Sequence, residues 1–263
     1  TNSLVAVEVL GTMDAAAPVV GARPRLDGFS LQAVEEPECA TTSQNPVLDD
    51  DEDGVPNDVT FSFTLPACSF QFEDGSMSLT GSLRFVDPAP TTAGFAYNAT
   101  FNNLRVSITG EEGTFAVTRG GSLAVAVDAS QLSLTQSLVT TISGTGLPTG
   151  SVTNTLSATF IPAEGSSLVV GEPLPDGTFS PSSSVTVSQA GQAAAFTLSA
   201  ATPLQYSAAC AAEGAFSVFT DGELRATITT SEGSGYVRIR YTGCGGPEGV
   251  FVDTQGEDCL TVN

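Results

Sequence analysis

The chain contains no histidine, no lysine and no tryptophan, and the first two absences exclude several classes of enzyme. Without histidine there is no Ser-His-Asp or Cys-His nucleophile system and no histidine-ligated zinc, iron or haem site. Without lysine there is no phosphate-loop, kinase or pyridoxal chemistry. Paired carboxylates remain available for hydrolysis, but the acids are too numerous to single out a pair. We therefore predict that the protein is not an enzyme and has no catalytic residues.

Positive charge is also scarce, because 8 arginines stand against 29 acidic residues and the net charge is −21. Nucleic acids and anionic membrane surfaces are bound through Lys and Arg, so neither is expected as a partner. No apolar run approaches the ~20 residues of a membrane-spanning helix. The 32 threonines and 28 serines, with the acidity, favour an extracellular or cell-surface protein. The chain begins at Thr1, as expected where a signal peptide or a lipid-anchored leader has been removed or the chain has been trimmed.

Alternation of apolar and polar residues is the dominant pattern, and it is typical of half-buried strands. Between residues 59 and 65, for example, Val, Phe, Phe and Leu alternate with Thr, Ser and Thr. Turn residues such as Asp74-Gly75 and Gly120-Gly121 separate the strands, and such short connections imply antiparallel pairing. Only residues 208–212, rich in alanine, suggest a turn of helix. The predicted fold is an all-β antiparallel meander or sandwich with almost no helix.

A change in composition suggests two β-domains. Residues 166–184 combine prolines, glycines and a run of serines, which is typical of a linker. We predict an N-terminal β-domain over residues 1–165 and a smaller C-terminal β-domain over residues 185–263. The alternative is one continuous sandwich whose two sheets are joined by this segment.

Five cysteines follow no zinc or redox spacing, so in an oxidising compartment they are expected to form disulfides. Proximity in the sequence favours Cys39–Cys68 and Cys210–Cys244, each worth roughly 3–4 kcal/mol in the chain-entropy estimate. Cys259 is then the odd cysteine: unpaired, or paired with a cysteine outside this chain.

One motif carries chemistry: residues 49–58, the acidic loop, read DDDEDGVPND. Acids at alternate positions in a tight loop point inward together, and Gly54 permits the sharp turn that follows. Calcium takes six to eight oxygens at ~2.3–2.6 Å, which such a loop supplies. A backbone carbonyl at Val55 and an oxygen from Asn57 or a water would add to the carboxylates. The opposite interpretation is a solvated acidic run without an ion.

The acidic loop resembles the calcium loops of EF-hands, dockerins and thrombospondin type 3 repeats, and the ending Asp-Gly-Val-Pro-Asn-Asp is most similar to the last of these. An EF-hand has a glutamate at its twelfth position, where this chain has Thr60, and no flanking helices are expected here. Asp58, or an acid from elsewhere in the chain, must therefore complete the shell. The resemblance implies the side chains of Asp49, Asp51, Asp53 and Asn57 and the carbonyl of Val55 as calcium ligands.

The whole chain is also similar in style to secreted proteins and lipoproteins of bacteria, through the acidic loop, Ser/Thr-rich meanders and the segment Tyr-Thr-Gly-Cys-Gly at residues 241–245. This resemblance implies no particular activity. We predict a non-enzymatic structural or adhesive protein of the cell surface that calcium stabilises. The alternatives are a module that binds carbohydrate or another small ligand and, less favoured, a carboxylate-based hydrolase.

The N-terminal segment has the pattern of an isolated strand. Residues 3–10 place Val5, Val7 and Val9 on one face, and no hairpin partner follows directly. A lone strand on a tether can pair with the open sheet edge of a neighbouring copy, which builds a filament. The alternative is that residues 3–10 form the first strand of their own sheet. Other cell-surface material is the remaining candidate partner.

Overall fold

The computed structural model is a single antiparallel sheet of fourteen strands with one short helix among the described residues. The strands are β1 (Ala40–Thr42), β2 (Asp58–Phe63), β3 (Ser69–Phe72), β4 (Gly75–Val86), β5 (Phe95–Gly110), β6 (Gly113–Asp128), β7 (Gln131–Gly144), β8 (Leu147–Pro162), β9 (Gly177–Gln189), β10 (Gln192–Tyr206), β11 (Phe219–Thr230), β12 (Gly233–Thr242), β13 (Glu248–Val252) and β14 (Asp258–Val262), and the helix is α1 (Ala208–Ala212). The structure describes residues 39–44, 47–92, 94–170, 172–213, 218–230, 233–244, 248–252 and 258–262.

Each strand pairs with the next along the chain except near the beginning of the sheet. The order is β1-β2-β4, and then β5 to β14 in sequence. Strand β2 pairs with residues 81–86 of β4. Strand β3 pairs with residues 75–78 of β4, along the same edge of that strand. The predicted all-β antiparallel meander with almost no helix is confirmed.

One face of the sheet carries the buried side chains, as the sequence alternation predicts. In β7 and β8, Leu132 lies opposite Phe160 and Leu134 lies opposite Ala158, and all four are buried. The main apolar cluster draws side chains from β5 through β12. Phe160 packs edge-on against Tyr206, with ring centroids 5.6 Å apart.

The end of the sheet where β2 begins and β4 ends, here the capped end, is covered by three segments. Val55 of the acidic loop joins the main cluster, as do Leu168 and Leu174 of the β8–β9 connection. Helix α1 follows β10 at the same end, and its Ala208 and Ala211 pack against the cluster. These three segments cover the main apolar cluster at the capped end of the sheet.

The sheet runs without interruption through the predicted domain boundary. Strands β8 and β9 are paired over thirteen consecutive residue pairs, from Gly150↔Gln189 to Pro162↔Gly177. Residues 177–184, predicted as part of a linker, therefore lie within β9, and the connection is residues 163–176. That connection folds back on the sheet, because the Leu168 N–H donates to the Ala129 carbonyl at 3.0 Å. The division into two domains is not confirmed.

The turn predicted at Gly120-Gly121 is wrong, since both glycines lie inside β6. Gly121 has φ +120°, and a Cβ there would lie 2.1 Å from the Ser137 carbonyl oxygen. The pairing of β5 with β6 also shifts register between Phe101 and Leu104. The two glycines thus allow β6 to pack closely against β7 and to pair irregularly with β5. They lie within a continuous strand and do not reverse the chain.

Two cysteine pairs lie at disulfide distance, and they are the pairs predicted from the sequence. The Cα atoms of Cys39 and Cys68 are 4.9 Å apart, and those of Cys210 and Cys244 are 5.6 Å apart. The first pair joins the segment before β1 to the segment before β3, and the second joins α1 to the end of β12. The side chain of Cys259 and the whole of residues 3–10 lie outside the described residues.

No helix within the described part of the chain has the length and apolar composition needed to cross a membrane.

Two neighbouring residues of β8 test the assignment of the buried face. Phe160 is 1% exposed and Ile161 is 50% exposed, so they point to opposite faces of the sheet. Phe160→Ala should lower the free energy of unfolding by about 3–5 kcal/mol, because it leaves a cavity in the core. Ile161→Ala, the matched control, should lower it by less than about 1 kcal/mol. Urea unfolding at saturating calcium measures both; equal losses would contradict the assignment.

Candidate metal centre

The acidic loop is held by hydrogen bonds between its own acids and its own backbone. The Gly54 N–H donates to Asp49 Oδ2 at 3.0 Å, and the Val55 N–H donates to Asp53 Oδ1 at 2.7 Å. Gly54 has φ +90°, the left-handed conformation that lets the chain turn directly after the acids. These bonds draw the loop into a tight ring around the remaining carboxylate oxygens.

Three carboxylates converge in this ring. One oxygen each from Asp49, Asp51 and Asp53 lies within 4.8 Å of the other two. Two oxygens bound at 2.3–2.6 Å to one calcium ion are at most about 5 Å apart, so this spacing suits a shared ion. The donor set contains only oxygen, which is the preference of hard cations rather than of zinc or copper.

Several oxygens of the ring are buried without a hydrogen-bond partner. They are Asp49 Oδ1, both carboxylate oxygens of Asp51, and Asp53 Oδ2. Buried polar groups in folded proteins are nearly always paired, and an ionised carboxylate without a partner is costly. A cluster of such oxygens facing one another is therefore an arrangement that needs a positive charge.

A fourth buried carboxylate, which no local sequence pattern indicated, lies outside this group of three but on a residue whose backbone is bonded to the loop. Asp87 directly follows β4 and is 3% exposed. Its Oδ1 accepts a hydrogen bond from the Ala89 N–H at 2.8 Å, whereas its Oδ2 is buried without a partner. The Asp87 N–H donates to the carbonyls of Pro56 and Asn57 at 3.1 and 3.2 Å, which joins the end of β4 to the loop.

The position of Asp87 follows from sheet register rather than from local sequence. Asp58 is paired with Val86, so the residue after Val86 lies beside the residues before Asp58. The only sequence signal is that an acid follows a predicted strand, and this is common at turns. Finding Asp87 requires knowing that β2 pairs with the far half of β4, with β3 placed between them along the chain.

The electrostatics of Asp53 reflect this crowding. Burial is the largest cause that raises the pKa of Asp53 above its usual range, and the charges of Asp51, Asp87 and Asp49 raise it further. The hydrogen bond from the Val55 N–H acts in the opposite direction. Proton binding, or a cation that replaces the proton, is thus favoured at this carboxylate.

The side chains at the remaining predicted ligand positions have other contacts, and the ligand role of the Val55 carbonyl stays a prediction. The side chain of Val55 is 3% exposed and packs in the main cluster, which anchors the loop to the core. Asn57 Oδ1 accepts a hydrogen bond from the Asp50 N–H at 3.0 Å. Asp58 is held by Arg84, with Nε to Oδ1 at 2.8 Å and Nη2 to Oδ2 at 2.5 Å. This bond lowers the pKa of the Asp58 carboxyl.

A second surface of interest lies at the opposite end of the sheet. Phe70, Met77, Ile108 and Phe115, here the apolar row, are neighbours across β3, β4, β5 and β6. Each of the four side chains is at least 37% exposed. Apolar side chains that adjoin across four strands form a patch rather than scattered exposure, and such patches are typical of interaction sites.

Comparison with family models, with curated proteins and with solved structures found no match to this chain.

The contacts of Asp58 lead to a prediction about which acids respond to calcium. Asp58→Asn weakens the pair with Arg84 but leaves the ring of Asp49, Asp51 and Asp53 in place. The rise in melting temperature on adding calcium should therefore equal that of the wild-type protein. Differential scanning calorimetry with calcium and with a chelator measures it. Loss of the calcium response would instead show that Asp58 belongs to the ligand shell.

Proposed function

We propose that the acidic loop binds one calcium ion through Asp49, Asp51 and Asp53, and that the protein is a non-enzymatic structural or adhesive protein of the cell surface. The observation that carries the proposal is the set of buried loop carboxylate oxygens that have no hydrogen-bond partner. The two cysteine pairs at disulfide distance support an oxidising, extracellular location. Calcium is the cofactor that such a location supplies.

Calcium fits this site better than the other common divalent ions. Zinc prefers sulfur and nitrogen ligands, whereas the three side chains here offer oxygen alone. Magnesium requires a near-ideal octahedron, keeps several waters and takes only one or two carboxylates. Three carboxylates on a loop fixed by Gly54 suit the larger and more flexible shell of calcium.

The role of the ion in this proposal is to stabilise the capped end. The loop runs directly into β2, and Val55 takes part in the core. Repulsion among the three carboxylates pushes the loop apart, and an ion between them converts that repulsion into attraction. Binding to the folded state alone then raises stability by mass action.

Asp51→Asn should change the melting temperature in opposite directions with and without calcium. In chelator the variant should melt at a higher temperature than the wild-type protein, because one of the repelling charges is removed. In millimolar calcium it should melt at a lower temperature, because a ligand with two unpartnered oxygens is lost. Calorimetry under both conditions measures the reversal.

Asp74→Asn is the matched control for this test. Asp74 is an exposed acid in the β3–β4 turn at the opposite end of β4, so the same substitution there should change neither melting temperature appreciably. A wild-type protein that shows no binding heat and no shift with calcium would overturn the proposed site.

Self-association is the finer part of the proposed function, and the apolar row supports it. We propose that the row receives residues 3–10 of a second copy, so that the protein forms a filament by strand donation. The segment alternates so that apolar residues stand at both odd and even positions, and within the described residues β3, the strand that contributes Phe70, is paired on one side only, with β4. The 28 residues from 11 to 38 span up to roughly 95 Å when extended, which is enough to reach a neighbouring copy.

Deleting residues 1–11 tests the strand donation. The deleted protein should be monomeric, whereas the full chain should form filaments that electron microscopy and sedimentation detect. Mixing the deleted protein with full-length Ile108→Asp should give one-to-one heterodimers, because one partner keeps only the acceptor and the other only the donor. A full-length protein that stays monomeric at high concentration, with a deletion that only lowers its melting temperature, would show that the segment serves its own chain.

A further inference from the structure

We propose that Asp87 is a direct ligand of the calcium ion, so that one ion ties the acidic loop to the end of β4. This inference rests on the calcium site proposed above and adds to it a ligand from a segment more than thirty residues away along the chain. Its consequence is that the ion joins the edge of the sheet formed by β1 and β2 to the main meander.

Burial gives the strongest reason to assign a ligand role to Asp87. Asp49, Asp51 and Asp53 are half-buried as whole residues, although the oxygens named above are themselves buried. Asp87 is 3% exposed, and its Oδ2 has no partner. A carboxylate at such a position is either protonated, hydrated by a trapped water, or bound to a cation.

Backbone hydrogen bonds fix Asp87 next to the acidic loop. Its N–H is held by the carbonyls of Pro56 and Asn57, and its Oδ1 is held by the Ala89 N–H. With Oδ1 bonded to Ala89, Oδ2 is the carboxylate oxygen left without a partner.

The number of free oxygens favours a cation over a trapped water. Asp49 Oδ1, Asp51 Oδ1 and Oδ2, Asp53 Oδ2 and Asp87 Oδ2 are buried and unpartnered. A water molecule donates only two hydrogen bonds, so one water leaves most of these oxygens unsatisfied. A calcium ion takes six to eight oxygens, and the five oxygens with one carbonyl or water fill that shell.

The position of Asp87 makes the ion a clamp between two segments. The loop continues into β2, whose first pair in the sheet is Asp58↔Val86. An ion bound both to the loop before Asp58 and to Asp87 after Val86 joins the two segments at the end of the β2–β4 ladder, and it holds Val55 in the core. Removing the ion should therefore loosen residues 47–57 before it affects the strands of the main meander.

The test is a calcium titration of the full chain carrying Asp87→Asn. Asparagine keeps the side-chain oxygen that accepts from Ala89 but removes the charge at the ligand position. Isothermal titration calorimetry should show affinity reduced roughly tenfold or more relative to the wild-type protein. Asp74→Asn, which removes the same charge at the other end of β4, should bind calcium with wild-type affinity.

The outcomes separate this inference from the proposed site. If the wild-type protein binds one calcium ion and Asp87→Asn binds it equally well, the clamp is wrong and the loop site stands. If the wild-type protein binds no calcium, both are wrong. If Asp87→Asn does not fold, Asp87→Glu supplies the test, because it keeps the charge but moves it by one methylene. An unchanged affinity in a folded Asp87→Glu protein would count against direct ligation, and a reduced affinity would support it.

Discussion

Mutual repulsion of carboxylates at the capped end is the constraint that the acidic loop must satisfy. Two like charges within 4.8 Å of each other repel by at least about 3 kcal/mol at an effective dielectric constant of ~20, and the acidic loop brings three carboxylates this close. The loop nevertheless adopts a compact turn, because Gly54 permits it and the N–H groups of Gly54 and Val55 hold one oxygen each of Asp49 and Asp53. The other oxygens of the three carboxylates stay without a donor, and the proposed calcium ion is what would offset their repulsion.

The same end of the sheet is where the core needs protection. A one-layer meander buries side chains on one face, and the main cluster of buried side chains on that face extends from β5 to β12. Val55, Leu168 and Leu174 close it from the acidic loop and from the β8–β9 connection. Helix α1 closes it from the other side, where the Ala208 N–H donates to Asp176 Oδ1 at 2.8 Å. In the proposed calcium site, ion binding in the loop would be coupled to burial in the core through Val55, two residues after Asp53.

The two ends of the sheet differ in what covers them. The capped end is fixed by loops and by the Cys210–Cys244 pair, whereas the side chains of the apolar row at the other end are exposed. Near that row, the Cys39–Cys68 pair joins the segment before β1 to the segment before β3. The exposed apolar row is the surface that the proposed self-association would use.

Much of the fold was predictable from the sequence, because burial on one face imposes a period of two on every strand. Prediction from this pattern failed where serines or glycines lie inside a strand. Residues 182–184 are three serines, but in β9 they pair with residues 155–157 of β8, so polar residues lie in a regular strand. Gly120-Gly121 has the composition of a turn, but it serves close packing against Ser137 within β6.

The candidate site was predictable only as far as it is local. Asp49, Asp51 and Asp53 form a motif within five residues, and the structure brings these three together. Asp87 lies next to the loop because β2 pairs with the far half of β4, and no local pattern encodes that pairing. Asp58 has the right composition for a ligand, but its partner is Arg84 across the β2–β4 ladder. Long-range register therefore decides which acids face the ring.

Amide hydrogen exchange, compared in calcium and in chelator, tests the central claim most directly. The Asn57 N–H, bonded to the Leu48 carbonyl, and the Asp87 N–H report on the loop and on its junction with β4. The account predicts that calcium slows exchange at both amides, while the amide of Thr197, in the middle of β10, exchanges at the same rate in both conditions. Equal exchange at Asn57 and Asp87 with and without calcium would contradict the account.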